Sequence, residues 1–167
     1  TLFPYTTLFR SILVTVGTTA GQILSCSLVA YGFARYQFTG KNVLFMILLS
    51  TMMIPWDVTM IPQYMEFKIF GWINTLKPLI IPAWFGSAYY IFLMRQFLMG
   101  VPKDFEEAAR IDGCNSWQCF SRIILPLTLP GIASTSIYAF ITSWNEYMFA
   151  FILTSRPEMK TLSVGIA

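Results

Sequence analysis

Long runs of apolar residues dominate this sequence, and short polar segments separate them. Four runs approach the ~20 residues that an α-helix needs to cross the hydrocarbon core of a membrane. None shows the alternating polarity of a spanning β-strand. The pattern therefore predicts an all-α, polytopic integral membrane bundle whose four spans cover residues 12–34, 42–62, 79–97 and 130–154.

Composition supports a membrane protein and excludes several other classes. Hydrophobic residues make up 56% of the chain and charged residues only 11%, against about 25% charged in a soluble domain. The net charge of +3 comes without a clustered basic face, so no nucleic-acid partner is expected. The chain has no histidine, the commonest metal ligand and general base. Its three cysteines lack CxxC spacing, so neither a metal site nor a disulfide framework is predicted.

The distribution of Lys and Arg between the predicted spans gives an orientation. With alternating sides, six basic residues fall on one side and four on the other. The excess predicts that the first side is cytoplasmic. That side carries Arg35, Lys41, Arg95, Lys103, Arg110 and Arg122, and the opposite side carries Lys68, Lys77, Arg156 and Lys160.

Two further patterns concern the ends of the chain and the packing of the bundle. Residues 1–11 (TLFPYTTLFRS) resemble the translation of a sequencing adapter, so we expect an artefact there and a membrane domain over residues 12–167. Small residues at four-residue spacing predict closely packed helices. They are Gly17, Gly21 and Ser25 in the first run, and Gly131, Thr135, Ala139 and Ser143 in the fourth.

The longest polar segment, about residues 100–122, has the features of a helix, a turn and a second helix. Asp104, followed three residues later by Glu107, is typical of a capping-box helix start. Gly113 is typical of a helix C-terminal stop, and Ser116 predicts the cap of a second helix. A short amphipathic helix on the cytoplasmic side is a natural docking element for a soluble partner.

This segment resembles the EAA signature of permease subunits of ATP-binding cassette (ABC) importers. The matching residues are Glu107-Ala108-Ala109, then Gly113 after three residues, and Ile123-Ile124-Leu125-Pro126 after nine more. Shorter stretches are similar to the carbohydrate-importer branch of that family. They are residues 30–35 (AYGFAR), Ile61-Pro62, residues 92–97 (FLMRQF) and residues 143–147 (SWNEY).

The resemblance implies a type I importer permease of the maltose-permease inner-subunit type, a multi-pass protein of a bacterial-type plasma (inner) membrane. Six spans are implied, of which the four runs are the second to fifth, so the chain is expected to be partial. The implied partners are a cytoplasmic ABC ATPase dimer, a second permease subunit, an extracytoplasmic solute-binding protein, a sugar-like solute and the lipid bilayer. The chain has no Walker motif, so ATP is expected on the ATPase and no cofactor on this chain.

The resemblance also implies roles for particular residues. Glu107, Ala108 and Ala109 are expected to form the face that docks on the ATPase. Asp112 and Gly113 are expected to fix the turn that passes helix motion to the fourth span. The remaining residues of the implied coupling motif are Ile123, Leu125 and Pro126.

Ionisable residues within predicted spans mark a candidate solute path. Asp57 and Glu146 lie in the outer parts of their spans, and buried charges in membranes usually face a wet cavity. Trp144, Asn145 and Tyr147 adjoin Glu146 and offer rings and polar groups to a sugar. The alternative is that these residues form an interfacial aromatic belt.

Three functions remain open at this point. The first is a sugar-importer permease, which is a transport subunit and no enzyme. The second is an importer permease for a non-sugar solute. The third, from a different class, is an intramembrane enzyme that uses Asp57 and Glu146 as an acid–base pair.

Overall fold

A computed structural model describes residues 3–155 and 161–166 of the 167-residue chain. All regular elements in this described part are helical. They are α1 (Phe3–Arg35), α2 (Lys41–Thr51), α3 (Trp56–Ile69), α4 (Lys77–Ile80), a 3-10 helix (Ile81–Phe85), α5 (Ala88–Gly100), α6 (Asp104–Ile111), α7 (Ser116–Gln118), a π-helix (Cys119–Ile124), α8 (Leu125–Leu127), α9 (Leu129–Trp144), α10 (Met148–Leu153) and α11 (Leu162–Ile166).

Helix α1 is the central element of the bundle. It packs against α5 and α9 and against the α4 and 3-10 segment. Its small residues Cys26 and Ala30 are fully buried, and they form the core with Met94 and Leu98 of α5 and Ile124 of the π-helix. Small side chains at the contact let α5 approach α1 closely, as expected for helices that associate without a hydrophobic driving force.

The second apolar run is broken, so the prediction of one continuous span over residues 42–62 is wrong. Helices α2 and α3 meet at an angle of 93°. Pro55 lies directly before α3 with an extended ψ of 136°. Proline has no N–H group to continue the hydrogen bonds of α2, and it disfavours helical geometry in the residue before it. The chain therefore turns at residues 52–55.

The third run is also interrupted, and residues 79–97 do not form one helix. The 3-10 helix ends at Gly86, whose φ of 84° lies in the left-handed region, and Ser87 is extended before α5 begins. Glycine adopts this conformation without a steric cost. Helix α5 is therefore only 13 residues long.

The fourth run bends at its entry and breaks near its end. The helical stretch before Thr128 and helix α9 meet at 76°, and Pro126 and Pro130 lie on either side of this bend. Within the described residues, one helix alone, Tyr5–Arg35, is long and apolar enough to cross a membrane. Up to three such spans result if each bent pair counts as one.

The predicted stripes of small residues do lie at close contacts. Side chains of neighbouring segments occupy the space beside these small residues. A β-carbon on Gly21 would lie 2.6 Å from Cδ1 of Trp84, in the 3-10 helix. Thr135 and Ala139 of α9 are buried. Helices α1 and α9 are packed together, as the stripes predict.

Basic residues gather at the end of the bundle where α1 stops. Arg95 of α5 lies 4.2 Å from the centroid of the Phe45 ring, and Lys41 donates a hydrogen bond to the Tyr36 carbonyl at 2.8 Å. Two residues assigned to the opposite side, Arg156 and Lys160, lie outside the described residues.

Residues 3–11 form the first turns of α1. Ser11 is buried, and its hydroxyl oxygen accepts a hydrogen bond from the Leu162 N–H at 2.7 Å. No helix boundary therefore separates residues 3–11 from the remainder of α1, and the origin of residues 1–11 in an adapter stays a prediction.

Candidate functional site

Helix α6 ends in a sharp left-handed turn built on Gly113. The φ of Gly113 is 83°. Its N–H donates to the Arg110 carbonyl at 3.1 Å, and the Cys114 N–H donates to the Ala109 carbonyl at 2.9 Å. This pair of bonds is the Schellman motif, which satisfies the last carbonyls of a helix and favours glycine at the left-handed position. The predicted stop at Gly113 is confirmed.

Both predicted helix caps lie one residue away from those in the structure. Lys103 precedes α6 in a helical conformation without a side-chain cap, so Asp104 lies in the first turn and forms no capping box. Its carboxylate favours the helix through the macrodipole instead. Asn115, rather than Ser116, caps α7. Its Oδ1 accepts from the Gln118 N–H, and Gln118 Oε1 accepts from the Asn115 N–H, both at 2.9 Å.

The two faces of α6 differ in burial. Glu107 and Ala108 are exposed, and so is Asp112 just beyond the helix. Ala109 and Glu106 are buried, on a helix that packs against the π-helix. Ala109 is thus covered by its own chain, unlike Glu107 and Ala108, and the docking role expected of it stays a prediction.

The end of the predicted coupling motif packs against the bundle core except at its last residue, Pro126. Ile123 and Leu125 are half-buried and pack against the core, between them Ile124 is fully buried, and Pro126 is exposed. These residues join the turn of α6 to the core that α1 and α5 form.

A buried ion pair anchors α6, and we did not predict it. Arg35 Nε lies 2.9 Å from Glu106 Oε1, and the side chains are only 5% and 10% exposed. The Arg35 Nη2 group also donates to the Val101 carbonyl at 2.7 Å. The available signal was the charge of Arg35 at the end of an apolar run, which we used only for orientation.

A cavity of about 590 Å³ lies among α1, α5, α9 and the segments beside them. Its walls combine aromatic rings with hydroxyl and amide groups, and Glu146 is the charged residue among the described lining. Such groups stack on apolar ring faces and exchange hydrogen bonds with hydroxyl groups. The aromatic and amide lining residues are Trp56, Tyr89, Tyr90, Tyr138, Trp144, Phe149, Gln22 and Gln63.

The structure separates the predicted path residues into two groups. Trp144 and Glu146 line the cavity, whereas Asp57, Asn145 and Tyr147 are exposed and do not. Asn145 donates from Nδ2 to the Ile141 carbonyl at 2.9 Å, and Tyr147 stacks on Phe151. Asp57 and Glu146 therefore do not line the same cavity. Sequence reasoning missed the tyrosines of α5, which the 3.6-residue period alone does not distinguish from core residues.

Local hydrogen bonds fix Glu146 at the cavity wall. Its Oε1 accepts from the Phe149 N–H at 3.0 Å, at the start of α10. Its carbonyl accepts from the Ser163 hydroxyl at 2.9 Å. Among the described residues no cluster of His, Cys, Asp or Glu suits a metal ion, and the three cysteines are free thiols.

The described residues form a helical bundle with a cavity lined by apolar and polar groups and with a helix–turn held at one end. The chain belongs to the family described as "Binding-protein-dependent transport system inner membrane component", whose profile matches residues 22–166. This family comprises transport subunits and not enzymes, so the interpretation of Asp57 and Glu146 as a catalytic pair is not retained.

Known relatives agree with this assignment. The chain is 39% identical over 151 residues to a "Probable ABC transporter permease protein" of Pyrococcus horikoshii, covering 89% of this chain and 54% of that protein. It is 33% identical to the arabinooligosaccharides transport system permease protein of Halalkalibacterium halodurans, covering 95% and 56%. A bacterial ABC transporter involved in the import of the acidic polysaccharide alginate superposes with a TM-score of 0.89 at 27% identity, covering 98% and 57%. The chain thus spans about half the length of the relatives it matches.

Proposed function

We propose that this chain is part of a multi-pass permease subunit of an ATP-driven ABC importer in a bacterial-type inner membrane. In this proposal the permease forms a path for a sugar-like solute together with a second permease subunit. An extracytoplasmic binding protein delivers the solute, and a separate cytoplasmic ATPase dimer supplies the energy. The observation that carries the proposal is α6, a short helix that exposes Glu107 and Ala108 and is held by a glycine turn and a buried ion pair.

The coupling role is assigned to the exposed face of α6. Glu107 and Ala108 are the docking residues, with Glu107 available to pair with a basic residue of the ATPase. Asp112 and Gly113 set the direction of the following chain, and Ile123, Leu125 and Pro126 connect the turn to the core. Ala109 supports the helix from its buried side.

The solute class follows from the cavity lining. Six aromatic rings and a set of hydroxyl and amide groups suit a hydroxyl-bearing carbohydrate. The Glu146 carboxylate disfavours an anionic solute, because no basic side chain belongs to the described lining. We therefore infer a neutral sugar or oligosaccharide, with Glu146 accepting hydrogen bonds from its hydroxyl groups.

Co-purification of the full-length parent permease with the ATPase encoded beside it tests the docking assignment. Glu107→Lys is expected to lower ATPase recovery at least about tenfold, which corresponds to ~1.4 kcal/mol. Glu66→Lys is the matched control, since Glu66 is an exposed residue of α3. Equal ATPase recovery with both variants would contradict the assignment.

A further inference from the structure

The Arg35 guanidinium holds two neighbouring segments at once. It forms the ion pair with Glu106, in the first turn of α6, and donates to the carbonyl of Val101, which follows α5. The Arg35 Nε and Glu106 Oε1 atoms meet by charge alone, without a hydrogen bond between them, whereas Nη2 donates a hydrogen bond to Val101. The end of α1 is therefore joined to the start of α6 by a buried charge pair, and to the residue after α5 by one hydrogen bond.

The Arg35–Glu106 pair is buried, unlike the other charged residues of α6. The side chains of Arg35 and Glu106 are nearly inaccessible to solvent, whereas Glu107 and Arg110 are exposed. Removal of one partner of a buried pair leaves an uncompensated charge in a poorly solvated site. The pair therefore opposes separation of α6 from α1 far more strongly than a surface pair does.

Helix α1 connects this joint to the cavity without interruption. Ser11, Thr15, Thr18 and Gln22 of α1 line the cavity, and Gln22 lies about 20 Å along the helix from Arg35, at ~1.5 Å per residue. The expected route through the chain that follows α6 is less direct. It passes through a π-helix and a bend of 76° before α9 begins.

We propose that Arg35 is a positioning residue that fixes α6 to α1 through Glu106, so that α1 carries displacement of α6 to the solute cavity. This inference rests on the proposed function. It predicts that loss of the pair lowers the amount of solute moved per ATP hydrolysed, while the ATPase still binds the exposed face of α6.

The test uses the full-length parent permease, reconstituted in proteoliposomes with its ATPase, second permease and binding protein. Arg35→Gln and Glu106→Gln are each expected to lower the transport-to-hydrolysis ratio roughly two- to thirty-fold, with ATPase recovery unchanged. The double variant is expected to be no worse than the more severe single variant, because both residues act through one contact. Lys68→Gln on α3, an exposed residue, is the control and should leave the ratio unchanged.

A merely structural role would lower membrane abundance and leave the ratio per assembled complex unchanged, and that result would overturn the proposal. Additive losses in the double variant would also overturn it.

If Arg35→Gln and Glu106→Gln do not accumulate in the membrane, Arg35→Lys is the variant that tests the proposal. It keeps the positive charge and loses the planar guanidinium. A lowered ratio at normal abundance supports the proposal, and an unchanged ratio overturns it. If the parent complex itself shows no ATP-dependent uptake, the proposed function fails, which the parent measurement reveals separately.

Discussion

Gly131 of α9 and Phe97 of α5 are in such close contact that a β-carbon on Gly131 would lie 2.5 Å from Cγ and 2.8 Å from Cβ of Phe97. The Cβ atom of Phe97 is fixed by the backbone of α5, so rotation of the ring does not relieve the overlap. The distance between these two helices therefore depends on the absence of a side chain at position 131.

Gly131→Ala is expected to destabilise the bundle by about 1–3 kcal/mol, the range for overpacking a close contact. Gly32→Ala in α1 is the matched control. A β-carbon there meets no atom within 4 Å, and alanine is the better helix former. Thermal unfolding of the purified permease in detergent measures both variants. An equal effect of the two substitutions would contradict the close contact.

Asn115 and Ser116 provide a direct test of which residue caps the helix after the turn. Asn115→Ala removes the acceptor of the Gln118 N–H and is expected to cost about 1 kcal/mol in the free energy of unfolding. Ser116→Ala is expected to have almost no effect, because Ser116 already lies inside the helix. Denaturant unfolding compares them, and a larger loss for Ser116→Ala would contradict the observed cap.

The accuracy of the sequence prediction depended on how local each signal is. The helix stop at Gly113 was predicted correctly because a left-handed residue after a helix is recognisable from the few sequence positions around it. Asn115 and Ser116 are both good capping residues, and only the pairing of Asn115 with Gln118 distinguishes them. The Arg35–Glu106 pair joins segments far apart in the chain, so no local pattern reveals it.

Hydropathy located the apolar runs but not their breaks. A proline inside a run does not determine the outcome by itself, since Pro62 lies within α3 while Pro55 marks its start. Which proline ends a helix depends on whether neighbouring elements satisfy the freed carbonyl groups. The sequence also does not predict which aromatic residues line the cavity. Trp144 and Tyr147 have similar chemistry and differ only in the direction they face.

Gly113→Pro is expected to uncouple ATP hydrolysis from transport while the permease still inserts. Proline fixes φ near −65°, against 83° in the structure, and removes the N–H that donates to the Arg110 carbonyl. Gly113→Ala is a milder variant that keeps the N–H. Its only expected cost is the free energy of placing alanine in the left-handed conformation, about 1–2 kcal/mol. Solute uptake and ATPase activity are measured together, and normal transport by Gly113→Pro would show that the turn is not needed for coupling.

Glu146→Gln is expected to weaken solute recognition without loss of the protein. Glutamine retains the oxygen that accepts from the Phe149 N–H, so the wall of the cavity keeps its shape. The charge is lost, and a hydrogen bond to a charged group contributes ~1.5–3 kcal/mol, so the half-saturating solute concentration should rise about tenfold or more. Asp57→Asn is the control, because Asp57 is exposed and does not line the cavity. Uptake of a labelled neutral sugar across a concentration series measures both variants. An equal shift for Asp57→Asn, or no shift for Glu146→Gln, would place the solute path elsewhere in the assembly.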